Sequence, residues 1–273
     1  MVDAAPPGFF RFFPESKPLD MIHWAAAWMT IGLGSIPQQD VFQRVMAAKT
    51  ERASVMACYT SSLMYLSVAL LPLIICYCAK MLYPQLLEGD PQMIIPSMVL
   101  QHSGLGMQIL FFGAVLSAIL STCSGALLAP ATVVGENLVR PLFKHLRDEQ
   151  LLRIMRLSVI GVAIVTCGMA LSRNNIYELV SESSTLSLVS LFVPLLAGLY
   201  WKRATTTGAI ASMVVGMAVW LLTSFALPSI AANASEGSAL HTWASIPPML
   251  YGLGASILSM VVGSWFGPKD GIT

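Results

Sequence analysis

Residues 109–134 read ILFFGAVLSAILSTCSGALLAPATVV and contain no charged side chain. A helix needs about 20 predominantly apolar residues to cross the ~30 Å hydrocarbon core of a bilayer, and this stretch exceeds that length. Ser121 and Thr122 lie near its middle. The stretch therefore predicts a transmembrane helix that carries hydroxyl groups at half depth.

The rest of the chain has the same character. Of its 273 residues, 56% are hydrophobic and only 11% are charged, against about 25% in soluble proteins. The net charge of +1 excludes nucleic-acid binding through a basic surface. We predict an all-α integral membrane protein with about seven transmembrane helices. The seven apolar segments are residues 21–36, 54–82, 104–134, 153–172, 176–201, 207–227 and 243–266.

Orientation follows from the basic residues, because short loops rich in lysine and arginine remain on the cytoplasmic side. Most of the 15 lysines and arginines fall in alternate connections, after the first, third and fifth segments and at the C-terminus. We expect a multi-pass protein of the plasma (inner) membrane with a cytoplasmic C-terminus and residues 1–20 outside. An outer N-terminus without a secretory signal is unusual, so we also expect sequence upstream.

The first segment is interrupted. Residues 32–44 read GLGSIPQQDVFQR, with two glycines and a proline in six positions. Such residues unwind a helix and free backbone groups. Transporters build solute or ion sites from broken helices of this kind. A simpler alternative is a helix that ends at Gly34 with an ordinary turn at Pro37.

The third segment presents small and hydroxyl residues on one continuous face, at Ser117, Ala118, Ser121, Thr122 and Gly125. The hydroxyls of Ser121 and Thr122 and the carbonyl of Ala118 are oxygen ligands that suit sodium, a hard cation. Small residues in membrane helices also serve close helix packing. The spacing alone favours a role in helix packing over a role in sodium binding. We also expect Pro130 to kink this helix.

The fifth segment places Glu178, Ser181, Glu182 and Thr185 at positions i, i+3, i+4 and i+7. Acidic residues within a span are costly and usually face a cavity or a partner. Glu182 lies close enough to the predicted helix start to reach interfacial water instead. Both alternatives remain open at this point.

Enzymatic activity is not expected, because polar groups do not converge in the sequence. The four histidines are far apart, and the five cysteines show no metal-ligand spacing. Most of the cysteines fall in apolar runs, so we interpret them as buried thiols. No cofactor is expected.

Three stretches together resemble the sodium:solute symporter family, which includes proline, sugar and choline transporters. Residues 198–216, GLYWKRATTTGAIASMVVG, are similar to its C-terminal signature. Residues 34–44 are similar to its broken-helix segment, and residues 118–124, AILSTCS, to its sodium-binding helix. The resemblance covers nearly all of residues 21–227 in the expected order.

The resemblance implies a leucine-transporter-type fold built from two inverted five-helix repeats. Residues 21–201 would be the second repeat, and residues 202–273 two additional C-terminal transmembrane helices with a short cytoplasmic tail. The first repeat has no counterpart here, so the chain is expected to be the C-terminal half of a transporter. The missing N-terminal half would then be a partner.

The same resemblance implies the site residues. Ala118 through its carbonyl, and Ser121 and Thr122 through their hydroxyls, would bind sodium. Substrate contacts are expected at the interrupted segment and at the polar stripe, from Gly34, Ser35, Gln38, Ser181 and Glu182. Gln38 stands where choline-type members have a tryptophan, and this change weakens a cation–π cage for choline.

We therefore expect sodium-coupled symport of a small organic solute by alternating access. Sodium would be the coupling ion. The expected partners are sodium, the solute and the lipid bilayer, and no nucleic-acid partner is expected. Two alternatives belong to other classes. One is a symporter-like membrane sensor module, and the other is a fragment that inserts but transports nothing.

Overall fold

The structure is a computed structural model that describes residues 13–14, 17–83, 90–143, 147–171, 175–233, 235 and 238–267. Every regular element within these residues is helical. Most of the predicted N-terminal segment and of the predicted cytoplasmic tail lies outside the described residues. Within the described ranges, six helices are long and apolar enough to cross a membrane. The predicted all-α membrane architecture is therefore confirmed.

The long helices follow the predicted apolar segments, whereas α5 lies between the second and third segments and was not predicted. Their bounds are α1 (Pro18–Gly34), α2 (Gln39–Met46), α3 (Glu51–Val68), α4 (Leu70–Leu82), α5 (Ile94–His102), α6 (Leu105–Thr132), α7 (Arg140–Leu142), α8 (Asp148–Leu171), α9 (Ile176–Ser187), α10 (Val193–Tyr200), α11 (Thr206–Asn233), α12 (Ala239–Ala244) and α13 (Pro248–Phe266). A 3₁₀ turn, Pro91–Met93, precedes α5. Two π-helical segments, Val133–Val139 and Leu188–Phe192, follow α6 and α9.

The six candidate spans correspond to the second to seventh predicted segments. They are Glu51–Ala79, Leu105–Leu142, Asp148–Leu171, Ile176–Tyr200, Thr206–Asn233 and Pro248–Phe266. The first predicted segment corresponds to α1, a 17-residue helix. In the span that contains α6, the helix changes to π-helical geometry three residues after Pro130.

Of the two alternatives for the first segment, the structure agrees with the simpler one, a helix that ends at Gly34 and is followed by a turn. Helix α1 ends at Gly34, residues 35–37 form a turn, and α2 begins at Gln39. Pro37 lacks an N–H and disfavours helical geometry at the preceding residue, so the helix does not continue through it. The turn is closed by the Ile36 N–H, which donates to the Leu33 carbonyl at 3.2 Å.

The chain divides into two compact units. Of the described residues, those between 43 and 165 belong to the first unit, and those between 13 and 42 and between 166 and 267 belong to the second. In the second unit, α1, α13 and the π-helical segment Leu188–Phe192 pack around a small apolar core. Its buried members are Ala26, Leu188, Val189, Met249 and Leu253.

The first unit has few buried side chains. None of the residues of α3 is buried, and most large apolar side chains of α6 are exposed. The interpretation of the cysteines as buried thiols was wrong. Cys58, Cys123 and Cys167 are exposed, and Cys76 and Cys78 are half-buried. Apolar runs in a membrane protein can face lipid as well as protein, so hydropathy does not imply a protein interior.

Helices α11 and α13 pack through small residues in the second unit. Gly208, Ser212 and Gly216 recur every four positions on α11 and are all buried. A Cβ on Gly216 would lie 2.8 Å from the Cβ of Ser256 on α13. The spacing therefore brings the two backbones close together, as in other membrane helix pairs with small residues at four-residue intervals.

Candidate functional site

The second unit contains a cavity of about 760 Å³ lined by α1, α9, α11 and the start of α13. Its polar lining residues are His23, Thr30, Tyr177, Glu178, Ser181, Glu182, Thr185 and Ser224. Its apolar lining residues include Ala26, Trp220, Phe225 and Met249. The size and mixed lining are typical of a small-molecule site. We call this space the α1–α9 cavity.

The polar stripe of α9 faces this cavity. Asn175 caps the helix, because its side-chain oxygen accepts from the Tyr177 N–H at 2.9 Å. The cap fixes the helix start, and all four members of the predicted stripe then line the cavity. Glu182 is half-buried there, whereas Glu178 is exposed. Of the two alternatives for Glu182, the cavity-facing one agrees with the structure.

Helix α1 supplies the opposite polar face. Thr30 is buried, and its Oγ1 lies 2.9 Å from the Ala26 carbonyl oxygen and 2.6 Å from Met249 Sδ. His23 Nε2 donates to the Ser245 carbonyl at 2.8 Å, which ties the start of α1 to the turn after α12. These contacts hold α1 against the residues that lead into α13.

Sequence reasoning missed His23 and Thr30 as lining residues. The signal was present, because His23, Ala26, Ala27 and Thr30 stand at i, i+3, i+4 and i+7 and all line the cavity. This small and polar face of α1 matches the spacing of the stripe on α9. An acidic stripe is conspicuous because charge in a span is costly, whereas a face of two alanines, a histidine and a threonine carries no such signal.

The predicted substrate residues fall in two places. Ser181 and Glu182 line the α1–α9 cavity, whereas Gly34, Ser35 and Gln38 are not among its lining residues. Gly34 is buried against the carbonyl of Ser184, and a Cβ would overlap that oxygen. Ser35 Oγ donates to the Ile31 carbonyl at 2.7 Å. The interrupted segment therefore packs closely against α9.

The predicted sodium residues lie on α6, in the first unit. The Thr122 hydroxyl donates to the Ala118 carbonyl at 3.0 Å, so two of the three proposed ligand oxygens are adjacent. Ala118, Ser121 and Thr122 are all exposed, and this face of α6 is uncovered in the described chain. The Ser121 and Thr122 hydroxyl oxygens keep lone pairs for a cation, whereas the Ala118 carbonyl already accepts both the helical N–H and the hydroxyl of Thr122. The assignment as a sodium site stays a prediction.

The proposed sodium ligands on α6 are neutral oxygens. Among the described residues, no group of three or more His, Cys, Asp or Glu side chains could hold a metal ion. Neutral oxygens of this kind suit a monovalent cation, because no buried charge needs to be compensated before the ion binds.

Comparison with known proteins agrees with this architecture. The profile of the sodium:solute symporter family matches residues 4–216. A high-affinity choline transporter of Drosophila melanogaster is 31% identical over 216 residues, which are 73% of this chain and 34% of that protein. The osmoregulated proline transporter OpuE of Bacillus subtilis is 30% identical over 236 residues, 82% of this chain and 46% of that protein.

A second protein of Bacillus subtilis, the high-affinity proline transporter PutP, is 35% identical over 149 residues, 54% of this chain. The chain thus spans less than half the length of these curated relatives. The family profile covers the interrupted first segment, the oxygen-bearing face of α6 and the polar stripe of α9. The chain therefore belongs to the sodium:solute symporter family.

Proposed function

We propose that this chain is part of a sodium-coupled transporter that moves a small organic solute across the membrane by alternating access. The observation that carries the proposal is the family match over residues 4–216, which includes both candidate sites. The six candidate spans and the polar cavity between helices support it. The related proteins are transporters, so no enzymatic activity and no resident cofactor are part of the proposal.

In this proposal sodium binds at Ala118, Ser121 and Thr122. The oxygens of Ala118 and Thr122 would form one side of its coordination shell once the Thr122 hydroxyl turns its proton away, and Ser121, the residue before Thr122, would add a second hydroxyl. The remaining ligands would come from an element that covers this face. Each sodium ion that enters would contribute about 2.3 kcal/mol per 100 mV of membrane potential to uptake.

The solute would bind in the α1–α9 cavity, with Ser181 and Glu182 as its main polar contacts. The named relatives carry choline and proline, which share a positively charged nitrogen. Glu182 could pair with such a nitrogen, and the ring of Trp220 could contribute a cation–π contact. Gly34, Ser35 and Gln38 would act through the interrupted backbone, whose packing against Ser184 sets the position of α1.

We further propose that another polypeptide segment completes the transporter. The chain covers 34% to 46% of the length of two relatives, and many large apolar side chains of α3 and α6 are exposed. Lipid or the other half of the transporter would cover them. Residues 21–201 would form the second five-helix repeat, and residues 202–273 would add two helices and a cytoplasmic tail in the plasma (inner) membrane.

The test is an uptake assay. The protein is purified from its native membrane together with any partner that copurifies. It is reconstituted into vesicles, and uptake of radiolabelled choline and proline is measured with an inward sodium gradient and with potassium replacing sodium. The proposal predicts sodium-dependent accumulation and exchange of internal for external solute. Solute-dependent signalling without uptake would favour the sensor module. Absence of both uptake and signalling would indicate an inactive fragment.

A further inference from the structure

A second cavity, separate from the solute site, lies where α10 ends, α11 begins and α13 ends. It has a volume of about 400 Å³ and is lined by Lys202, Arg203, Thr205, Ser264 and Trp265, among others. Lys202 and Arg203 are exposed, whereas Thr205 and Ser264 are buried. The cavity therefore has a closed polar floor and a basic rim.

The floor is held by one hydrogen bond from Thr205 to α13 and by one between Thr205 and the first turn of α11. The Thr205 N–H donates to Ser264 Oγ at 3.3 Å, and Thr205 Oγ1 accepts from the Gly208 N–H at 3.2 Å. Gly208 in turn packs against the Ser264 hydroxyl, so no larger residue fits there. These contacts fix the turn that carries the two basic side chains, and the rim does not depend on a long loop.

The charge of the cavity is suited to an anion. Among its described lining residues, two are basic and none is acidic. The 28-residue helix α11 begins at Thr206, directly after the floor, and a helix start adds positive potential. The planar guanidinium of an arginine can bind a phosphate through two parallel N–H groups, and lysine side chains also commonly bind phosphate.

Exposed aromatic side chains place the cavity at the edge of the membrane. Tyr200 ends α10 and is 83% exposed, and Trp265 and Phe266 end α13 with 68% and 86% exposure. Aromatic residues at the ends of spans mark the boundary between hydrocarbon and headgroups. The turn 201–205 also belongs to the set of basic connections predicted to face the cytoplasm.

We propose that this cavity binds the phosphate of an anionic phospholipid in the cytoplasmic leaflet. A phosphate group is the shared chemistry of a lipid headgroup and of free inorganic phosphate. We assign the lipid, because the exposed apolar residues Leu199 and Phe266 stand three residues before Lys202 and next to Trp265 in the sequence and offer apolar surface for acyl chains. Basic pockets between transmembrane helices on the cytoplasmic side bind anionic headgroups in this manner. The proposal does not depend on which solute is transported.

The test is native mass spectrometry of the detergent-purified protein with added phosphatidylglycerol, with phosphatidylcholine or with inorganic phosphate. The wild-type protein should retain phosphatidylglycerol in preference to phosphatidylcholine. Lys202→Gln with Arg203→Gln should weaken phosphatidylglycerol binding about 30-fold, or about 2 kcal/mol for two basic residues. Lys202→Arg with Arg203→Lys, which keeps the charge, should retain most of the binding.

The matched control is Arg153→Gln with Arg156→Gln, which removes two exposed basic residues of α8 that do not line the cavity. This control should bind phosphatidylglycerol as the wild-type protein does. Equal losses in both double variants would show a general charge effect and overturn the site. Undiminished binding in the Lys202 and Arg203 double variant would overturn it as well. Inorganic phosphate that displaces the lipid at similar concentration would assign the cavity to a free anion.

Discussion

Ser212 and Ser256 link α11 to α13 through a single hydrogen bond in an apolar interface. Their Oγ atoms are 2.8 Å apart, and both side chains are fully buried. Water does not reach this position, so a hydroxyl that loses its partner remains unsatisfied. Hydrogen bonds between membrane helices contribute about 0.6 kcal/mol on average and about 1.7 kcal/mol at most.

Replacing Ser212 by alanine should therefore lower the free energy of unfolding by about 1 kcal/mol. The matched control is Ser259→Ala on α13, whose hydroxyl bonds only to carbonyls of its own helix, at 2.7 and 3.1 Å. Denaturation in mixed micelles with increasing sodium dodecyl sulfate measures both variants. Equal stability of the two variants would contradict the assigned link.

In the proposed function, Glu182 is the residue on which recognition of a positively charged solute nitrogen should depend most. Glu182→Gln keeps the shape and removes the charge, so we expect at least a tenfold rise in the KM for solute, with sodium activation unchanged. Glu149→Gln, at an exposed position at the start of α8, is the matched control. The KM of each variant is obtained from initial uptake rates at increasing solute concentration. An unchanged KM in Glu182→Gln would exclude this carboxylate from the solute site.

At the scale of elements, glycine sets how closely helices approach. On α13 a Cβ at Gly252 would lie 2.7 Å from the Cβ of Trp220 and 3.1 Å from the Gly216 carbonyl oxygen. Gly254, two residues along the same helix, has no atom within 4 Å of such a Cβ. Gly252 is therefore in close contact with α11, whereas Gly254 borders open space.

This contrast gives a prediction. Gly252→Ala should destabilise the protein by about 1 to 3 kcal/mol, because the added methyl forces α11 and α13 apart. Gly254→Ala should be neutral or stabilising by up to about 1 kcal/mol, since alanine is the better helix former. Thermal unfolding of the two variants in detergent gives the comparison. A similar loss in both would mean that helix separation does not limit stability here.

The approximate positions of the long spans could be predicted from the sequence, because long apolar runs and breaker residues determine them locally. Residues 32–37 predicted the break between α1 and α2, and hydropathy located the six spans. The π-helical segment Leu188–Phe192 was not predicted. It fits residues such as Val189 against α11 and α13, and this packing depends on residues distant in sequence.

The candidate site could be predicted only in part for a related reason. The stripe on α9 was visible because carboxylates in a span are costly, and it does line a cavity. The faces of α1 and α6 carry small and hydroxyl residues, which serve packing or ligand binding equally well. Hydropathy also does not distinguish lipid from protein as the neighbour, and the exposed cysteines illustrate this.

At the scale of the whole molecule, the distribution of basic residues determines the predicted orientation. Arg147 lies in one of the basic connections, and Ser235 lies in the connection after α11 that is expected outside. In a cysteine-free background, an impermeant maleimide applied to intact cells should label Ser235→Cys directly. Arg147→Cys should react only after permeabilisation. The reverse pattern would invert the assigned topology.

The most direct measurement for the account as a whole is the sodium dependence of solute uptake in Ser121→Ala. Loss of one hydroxyl ligand should raise the sodium concentration for half-maximal uptake about tenfold, which corresponds to about 1.4 kcal/mol. Cys123→Ala, about 200° round the same helix from Ser121, should behave as the wild-type protein. Unchanged sodium activation in Ser121→Ala, or an equal shift in both variants, would contradict sodium binding on this face of α6.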